Sequence, residues 1–366
     1  MTIVERPASV SDAPQEAPDK KKGWLIAAVI VVAALVGFGI WLFVRDDGST
    51  TDQATTDETA TVQPAAESDG SAVAGAVMAA SELEEWESEA VTFFDRFYEG
   101  WPDLEARFSE FADDAVFYDP TFGDYFVGPA AMRAGWAMMP GTFPELDASV
   151  KSVFLSADGA VFSADWVGFW LGEKPDDVPW PAGLEVFGFD GNLVASQDLW
   201  YAEETLEGVP VSCGGCSADV RAAADRYVMA WSSGDPGQIA ALYSDDAALR
   251  DTMFGIEASG ADEIGQSVTE RFGSGEGTMT IEEIYGVTVH GSLIPSGSPS
   301  NHGDVAGVGI RYQWTPDVGG TSTTMDSLVL FHFGRIEAGK FVSDHTNLIV
   351  REEVFHNPDS LMELMT

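Results

Sequence analysis

An internal repeat constrains the fold of this 366-residue chain more than any other feature of the sequence. The segment DRFYEGW at Asp95–Trp101 returns as DRYVMAW at Asp225–Trp231. Twelve residues after the first segment's Trp, DDAVFYDPTFG begins at Asp113, and fourteen residues after the second segment's Trp, DDAALRDTMFG begins at Asp245. Because the matching segments keep their order and differ in spacing only in loops, the sequence predicts two copies of one structural unit.

Each copy is predicted to be an α+β domain. An amphipathic helix, a short helix, a strand and a further helix precede a run of long strands rich in β-branched and aromatic residues. This order favours helices on one face of a curved antiparallel sheet. We place the domains at residues 83–205 and 217–352, joined by a linker at 206–216, with a C-terminal tail at 353–366.

The string ALYSDDAALRD, preceded by a helix and followed by a Gly, resembles the NTF2-like superfamily, particularly its SnoaL-like and ketosteroid-isomerase-like branches. The resemblance covers both copies and implies two tandem cone folds. Each cone is a bent sheet wrapped around helices, with an apolar pocket at its open end. These branches include isomerases, polyketide cyclases, dehydratases and non-catalytic binding proteins, so the fold leaves the activity open.

The resemblance also implies candidate acid–base groups. A ketosteroid isomerase uses a carboxylate base, with a Tyr and a protonated carboxylic acid as donors to the developing enolate oxygen. Phe97 and Val329 occupy the tyrosine position of the first copy and the acid position of the second, so each copy keeps two of the three groups. An Asp just after a strand is also a common turn former, and that alternative stays open. The candidates are Asp119 and Glu185 in the first copy and Tyr227 and Asp251 in the second.

His345 is a further candidate base, on the last predicted strand of the second copy, where Asp344-His345 aligns with Ser196-Gln197. Neighbouring strand residues point to opposite faces, so Asp344 would not orient His345, and a structural polar role is the alternative. No histidine pair has the spacing of a zinc motif such as HExxH, and the Gly-rich segment 273–277 lacks the residues of a phosphate loop. The sequence therefore predicts neither a metal nor a cofactor.

Cys213 and Cys216 form a CGGC motif between the two copies. Outside the cytoplasm the two cysteines are expected to form a disulfide that acts as a structural clip. A redox dithiol is the alternative, because a helix N-terminus lowers thiol pKa values.

A stretch of 21 uncharged residues, 24–44, predicts a transmembrane helix, because 21 residues at about 1.5 Å each span a hydrocarbon core of about 30 Å. Basic residues precede the stretch and only Arg45 follows it directly, so residues 1–23 are predicted to be a cytoplasmic tail and the rest extracytoplasmic. A cleaved signal peptide is the alternative. The predicted contacts with the plasma-membrane bilayer are Trp24 and Trp41 at the ends of the helix and Lys20, Lys21 and Lys22 on its cytoplasmic side.

The segment 45–80 is predicted to be a disordered stalk, since no aromatic residue occurs between Phe43 and Trp86 and small or polar residues dominate. The chain has 60 acidic and 18 basic residues and a formal net charge of −42. So acidic a chain argues against a nucleic-acid partner, whose phosphates require Lys and Arg.

These features predict a single-pass membrane protein whose two external domains bind a small apolar or polyketide-like ligand in a cone pocket. An acid–base isomerase, cyclase or dehydratase using Asp119 or Asp251 is one alternative. A non-catalytic envelope scaffold is another. The two domains are expected to pack against each other or to form a homodimer.

Overall fold

The computed structural model describes residues 80–142, 145–157, 159–167, 181–208, 216–272, 277–289, 305–316, 324–337, 340–343 and 348–365. All of them lie in one compact unit, residues 66–366. The predicted transmembrane helix and its flanking lysines, the stalk up to residue 79, Cys213 and His345 lie outside these ranges. Within these ranges, no helix is both long enough and apolar enough to cross a membrane.

The N-terminal half, residues 80–208, alternates short helices with long strands. Its helices are α1 (Ala80–Glu99), α2 (Leu104–Arg107), α3 (Pro129–Gly135), α4 (Met139–Thr142) and α5 (Glu203–Gly208). Its strands are β1 (Phe111–Asp119), β2 (Asp124–Val127), β3 (Asp147–Ser156), β4 (Gly159–Val167), β5 (Ala182–Asp190) and β6 (Leu193–Ala202).

The C-terminal half, residues 216–365, follows the same order and adds a small two-stranded hairpin before its last strand. Its helices are α6 (Cys216–Ser233), α7 (Pro236–Ala240), α8 (Ala261–Phe272) and α9 (Pro358–Met365). Its strands are β7 (Tyr243–Asp251), β8 (Ile256–Ser259), β9 (Gly277–Thr288), β10 (Val305–Pro316), β11 (Met325–His332), β12 (Gly334–Glu337), β13 (Lys340–Ser343) and β14 (Ile349–His356). The predicted boundary at residue 352 therefore falls inside β14, and α9 occupies most of the predicted tail.

The two halves repeat the same local devices. Asp103 and Asp235 cap the equivalent helices α2 and α7, each accepting hydrogen bonds from the two backbone N–H groups that follow it by two and three residues. Gly128 and Gly260 end the equivalent strands β2 and β8 with φ values of 79° and 86°, in the left-handed region that favours glycine. Each of these glycines donates its N–H to the preceding long strand, with an N–O distance of 2.7 Å.

Within each half, the sheet combines antiparallel and parallel pairs. Strands β3 to β6 form an antiparallel meander, and β1 pairs with β6 in parallel and with β2 in antiparallel orientation. The C-terminal half repeats this with β7, β8, β9, β10, β11 and β14. These pairings make β14 the counterpart of β6: Phe117 on β1 pairs with Gln197, and the equivalent Leu249 on β7 pairs with Glu352.

The two halves are joined edge to edge by strand pairing. Tyr201 and Ala202 of β6 pair with β9, and His356 of β14 pairs with Leu155 of β3. Eight strands, in the order β3-β4-β5-β6-β9-β10-β11-β14, therefore close into a ring.

Successive side chains of a strand point to opposite faces of the sheet, so the strands of the ring contribute side chains to two apolar cores. One core lies between the halves and contains Leu184 and Trp200 from one half and Tyr285 and Leu328 from the other. The other face of the strands packs against the helices. There, the Phe94 ring of α1 contacts Phe162, and the Tyr227 ring of α6 stacks on Phe331.

Candidate functional site

Asp119, the last residue of β1, is a buried carboxyl group with one side-chain donor. Its side chain is 5% exposed, and its Oδ2 accepts a hydrogen bond from Tyr201 Oη on β6 at 2.6 Å. Burial, helped by the nearby Asp124, raises the pKa of Asp119 to about 7, against the opposing effect of the Tyr201 hydrogen bond. Asp119 therefore gains or loses its proton near neutral pH.

A turn covers the Asp119–Tyr201 pair. The Phe122 ring is 46% exposed and lies edge-on to Tyr201, with 5.6 Å between ring centroids. The Phe122 N–H donates to Asp119 Oδ1 at 3.3 Å, so Asp119 also has the turn-forming role that the sequence left open.

Glu185 on β5 is a saturated acceptor. It is 1% exposed and accepts hydrogen bonds from Tyr98 Oη, from Trp166 Nε1 at 2.9 Å and from Gln197 Nε2 at 2.8 Å. Burial raises the pKa of Glu185, while the positive charge of buried Arg107 and the three donors oppose that shift. With its oxygens occupied in this way, Glu185 is not placed to donate a proton to a ligand oxygen, which is the task of the second acid in an isomerase.

Asp251, the counterpart of Asp119, is held by a histidine. It is 1% exposed, and its two carboxylate oxygens lie 3.1 and 3.0 Å from His356 Nε2. His356 Nδ1 lies 2.9 Å from Ser327 Oγ on the paired strand β11. His356 occupies on β14 the position that Tyr201 occupies on β6, so both aspartates bond the residue at that position.

The predicted alignment of His345 with the last strand of the first copy is therefore wrong. The strand that corresponds to β6 is β14, whose residues 349–356 follow His345, and the histidine beside Asp251 is His356. The β12–β13 hairpin has no counterpart in the N-terminal half, and it displaces the final strand along the sequence. An ungapped match of LVASQDLWY, which ends at Tyr201, to LIVREEVFH, which ends at His356, would have shown the correct register.

Tyr227, the predicted oxyanion donor of the second copy, bonds a buried carboxylate instead. Its Oη donates to Glu352 Oε1 at 2.9 Å, and Tyr243 Oη donates to Glu352 Oε2. Glu352 lies on the strand beside Val329, so the C-terminal half also has a buried acid, moved to the neighbouring strand. Tyr98 replaces the hydroxyl that Phe97 lacks in the N-terminal half, from the next position along α1.

The candidates of each half are near one another but are not aimed at one shared point. In the N-terminal half, the Tyr201 ring bonded to Asp119 lies 5.7 Å from the ring of Trp166, which donates to Glu185. In the C-terminal half, Tyr227 and Asp251 each have a separate partner. In each half, the Asp and the buried Glu therefore belong to two separate hydrogen-bonded pairs. These are Asp119–Tyr201 and Glu185–Tyr98 in the N-terminal half, and Asp251–His356 and Glu352–Tyr227 in the C-terminal half.

The geometry of the described residues shows no metal site, and it does not test the predicted disulfide. Within the parts of the chain that the structure describes, no three His, Cys, Asp or Glu side chains are grouped so as to hold a metal ion. Cys216 begins α6, but Cys213 lies outside the described ranges, so the disulfide stays a prediction.

Comparison with protein families finds a match within the N-terminal half. Residues 90–197, from α1 to β6, match the SnoaL-like domain family. This segment contains Asp119 and Glu185 and ends just before Tyr201. No curated protein is significantly similar to the chain in sequence.

Several solved structures resemble part of the chain at low sequence identity. A protein with a ketosteroid isomerase-like fold from Catenulispora acidiphila, in complex with trimethylamine, is 16% identical, with a TM-score of 0.27 over 32% of this chain and 93% of that chain. A candidate SnoaL-like polyketide cyclase from Shewanella putrefaciens is 15% identical, with a TM-score of 0.29 over 34% and 94%. A SnoaL-like protein of unknown function from Burkholderia thailandensis is 20% identical, with a TM-score of 0.27 over 32% and 96%. At these values the likenesses carry no argument about activity.

Proposed function

We propose that the N-terminal half binds a small apolar carbonyl compound and exchanges a proton with it through Asp119, in a reaction of the cyclase or isomerase type. One observation carries this proposal: Asp119 is a buried carboxyl group with a pKa of about 7 and a single side-chain donor, Tyr201. A general acid or base is most effective when its pKa lies near the working pH.

The contrast between the halves supports placing the chemistry in the first. Asp251 is bonded through both oxygens to an imidazole, and Glu185 and Glu352 each accept from at least two side chains. These three acids are held as structural acceptors. Asp119 accepts a side-chain hydrogen bond from Tyr201, burial raises its pKa to about 7, and it lies within the SnoaL-like segment.

Binding without turnover is the second candidate function. It is favoured by the saturation of Glu185, which removes the donor that an isomerase directs at the enolate oxygen. Loss of one such donor typically reduces transition-state stabilisation by about 2.7 to 4 kcal/mol. A protein that kept the ligand site without this donor would bind its ligand and turn it over slowly.

Proton abstraction by Asp119 can be tested with 5-nitrobenzisoxazole, a neutral apolar compound that ring-opens to a coloured phenolate when a base removes its carbon-bound proton. We expect the full-length protein to accelerate the ring opening, with a rate that rises with pH around 7. Asp119→Asn should reduce the rate by about 100-fold, the lower end of general-base contributions. Asp251→Asn is the matched control in the other half and should retain the rate.

Equal losses in the two variants, or a rate independent of both, would contradict the placement of the base. Saturable binding of the probe without accelerated ring opening would support the second candidate function instead.

We also propose that residues 24–44 anchor the chain, with the SnoaL-like segment outside the cytoplasm. The 21 uncharged residues and the lysines before them support this placement. With Cys213 and Cys216 replaced by serine and a single cysteine introduced at Ser9 or Thr61, a membrane-impermeant maleimide should label Thr61→Cys in intact cells and Ser9→Cys only after lysis. The reverse pattern would contradict the orientation, and a mature chain beginning after residue 44 would indicate a cleaved signal peptide.

A further inference from the structure

A cavity of about 490 Å³ lies between the two halves, apart from Asp119 and the other candidate acids. Both halves contribute to its wall, which includes Tyr118, Tyr125 and Trp200 from one and Val287, Ala306 and His332 from the other. Its volume is within the range of small-molecule sites, about 300 to 1,000 Å³. Tyr118 and Asp119 are neighbours on β1, so their side chains point to opposite faces of the sheet.

Four aromatic residues contribute to the wall. The rings of Tyr118 and Tyr125 lie 6.3 Å apart and nearly perpendicular, and the rings of Trp200 and His332 lie 5.1 Å apart in the same kind of arrangement. Ala306 contributes only a methyl group, which leaves space beside the rings. Such a wall offers flat apolar surface to a ring-shaped ligand.

One polar atom of the wall lacks a partner. The hydroxyl oxygen of Tyr118 is buried and has no hydrogen-bond partner among the residues that the structure describes. Burial, followed by the nearby carboxylates of Asp198 and Asp119, raises the pKa of Tyr118, so this hydroxyl group keeps its proton. A buried hydroxyl without a partner carries a free-energy cost that a ligand accepting its hydrogen bond would relieve.

Two charged residues, Asp246 and Arg351, also line the cavity, and they already bond Ser244 and Glu353. The other titratable pair of the wall, His332 and Asp198, disfavours a charged ligand. Burial and the positive charge of Arg351 lower the pKa of His332 to about 3, so the imidazole is neutral. Burial raises the pKa of Asp198, which also borders the cavity, to about 7. A site that penalises its own charges also penalises a charge brought in by a ligand.

The repeat shows that this wall is built only once. The positions equivalent to Tyr118 and Tyr125 are Arg250 and Glu257, which pair across β7 and β8 with an N–O distance of 3.7 Å. The position equivalent to His332 is Gly188. The aromatic wall therefore belongs to one of the two equivalent faces.

We propose that this cavity binds one planar, uncharged, conjugated molecule per chain, through an oxygen atom that accepts a hydrogen bond from Tyr118. The site is separate from the proton-exchanging site at Asp119 and does not depend on it. Its ligand packs against the partly exposed rings of Tyr118 and Tyr125, and its oxygen atom gives the Tyr118 hydroxyl the partner it lacks.

The test uses the full-length chain in lipid nanodiscs and equilibrium dialysis against three probes, with protein-free nanodiscs as background. 9-Fluorenone is planar, uncharged and has one carbonyl oxygen; fluorene lacks the oxygen; 9-fluorenone-4-carboxylate adds a charge. We expect saturable binding of one 9-fluorenone per chain, with fluorene about fivefold weaker, the scale of one neutral hydrogen bond. The carboxylate should bind more weakly than 9-fluorenone.

Three variants locate the binding. Tyr118→Phe should weaken 9-fluorenone about fivefold and leave fluorene unchanged, which distinguishes the hydrogen bond from a packing effect. Ala306→Phe fills the cavity and should abolish binding of both. Arg250→Lys, at the position equivalent to Tyr118, is the control and should bind all three probes as the unchanged chain does.

The proposal is overturned if no binding exceeds that of the protein-free nanodiscs, if Ala306→Phe binds normally, or if Tyr118→Phe leaves the ratio of 9-fluorenone to fluorene affinity unchanged. Because Tyr118→Phe removes a single oxygen, its result decides the matter even if Ala306→Phe fails to fold. Ring opening of 5-nitrobenzisoxazole by Asp119 is measured independently, so either proposal can fail without the other.

Discussion

At the residue scale, the environment that brings the Asp119 pKa near neutrality also reduces stability. The folded-state pKa of about 7 lies above 3.8, the ordinary aspartate value, which applies to the unfolded chain. Between these two values the folded state binds more protons than the unfolded state, so stability falls as pH rises and the full loss is reached above about pH 7. A shift of about 3 units corresponds to at most about 4 kcal/mol.

We therefore expect Asp119→Asn to stabilise the protein at pH 8 and to have little effect at pH 4. The amide keeps an oxygen to accept the Tyr201 hydrogen bond but carries no charge to desolvate. Chemical denaturation of residues 81–366 at the two pH values measures the difference. An equal effect at both values would show that Asp119 titrates normally in the folded state.

Removal of one donor from Glu185 should be costly. Tyr98→Phe leaves the buried carboxylate with two of its three side-chain donors, and a hydrogen bond to a charged group is worth about 1.5 to 3 kcal/mol. Tyr227→Phe removes a donor from Glu352, which Tyr243 also bonds, and should cost a similar amount. Urea denaturation checks both variants, and losses below about 0.5 kcal/mol would show that these acids are not held as described.

The family resemblance implied Asp119, Asp251 and Glu185 as candidates, because short strings around them match the positions of the family's base and second acid. It missed Tyr98 because the expected position, Phe97, is one residue away on the same helix, and only packing decides which ring reaches the acid. It missed Glu352 because the buried acid of that half lies on a different strand from Glu185. Burial and partners, which set the pKa values, depend on contacts distant in sequence and have no local signature.

At the element scale, Gly183 shows how closely β5 approaches its neighbours. A methyl group at Gly183 would overlap the Trp200 carbonyl oxygen and the Trp166 ring. We expect Gly183→Ala to destabilise the protein by about 1 to 3 kcal/mol or more, as overpacking does in a dense core. Gly141→Ala, whose methyl would meet nothing within 4 Å, is the control and should be neutral in the same thermal-unfolding measurement.

The position equivalent to Gly183 in the C-terminal half carries Ser327. There the paired residue is His356 and not Tyr201, and the serine hydroxyl lies within hydrogen-bond distance of its ring. Equal stability of the two glycine variants would contradict the close packing of the Trp166 ring against Gly183.

At the scale of the whole molecule, the edge strands of each half pair with the edge strands of the other. The edges that meet are equivalent, because β6 pairs with β9 and β14 pairs with β3. The sequence showed the duplication and the α+β content, but edge pairing depends on backbone groups that every residue type has, so the closed ring was not predicted.

Residues 81–208 expressed alone should therefore form a homodimer. Two copies can pair β6 with β3 twice and bury the face that carries Leu184 and Trp200, which would otherwise be exposed. Light scattering after size-exclusion chromatography should give twice the mass of the fragment. A folded monomer would show that the half does not need its partner, contrary to the closed-ring arrangement.

The protonation of Asp119 is the most direct test of the account. Carbon-13 NMR of the Asp side-chain carboxyl groups, recorded across pH with Asp119→Asn to assign the signal, gives its pKa without a substrate. We expect a titration with a midpoint of about 7 that disappears in the variant. A midpoint near 4, the ordinary value for an aspartate, would contradict the account, because such a group would be fully ionised at neutral pH and would be no better poised for proton exchange than a surface carboxylate.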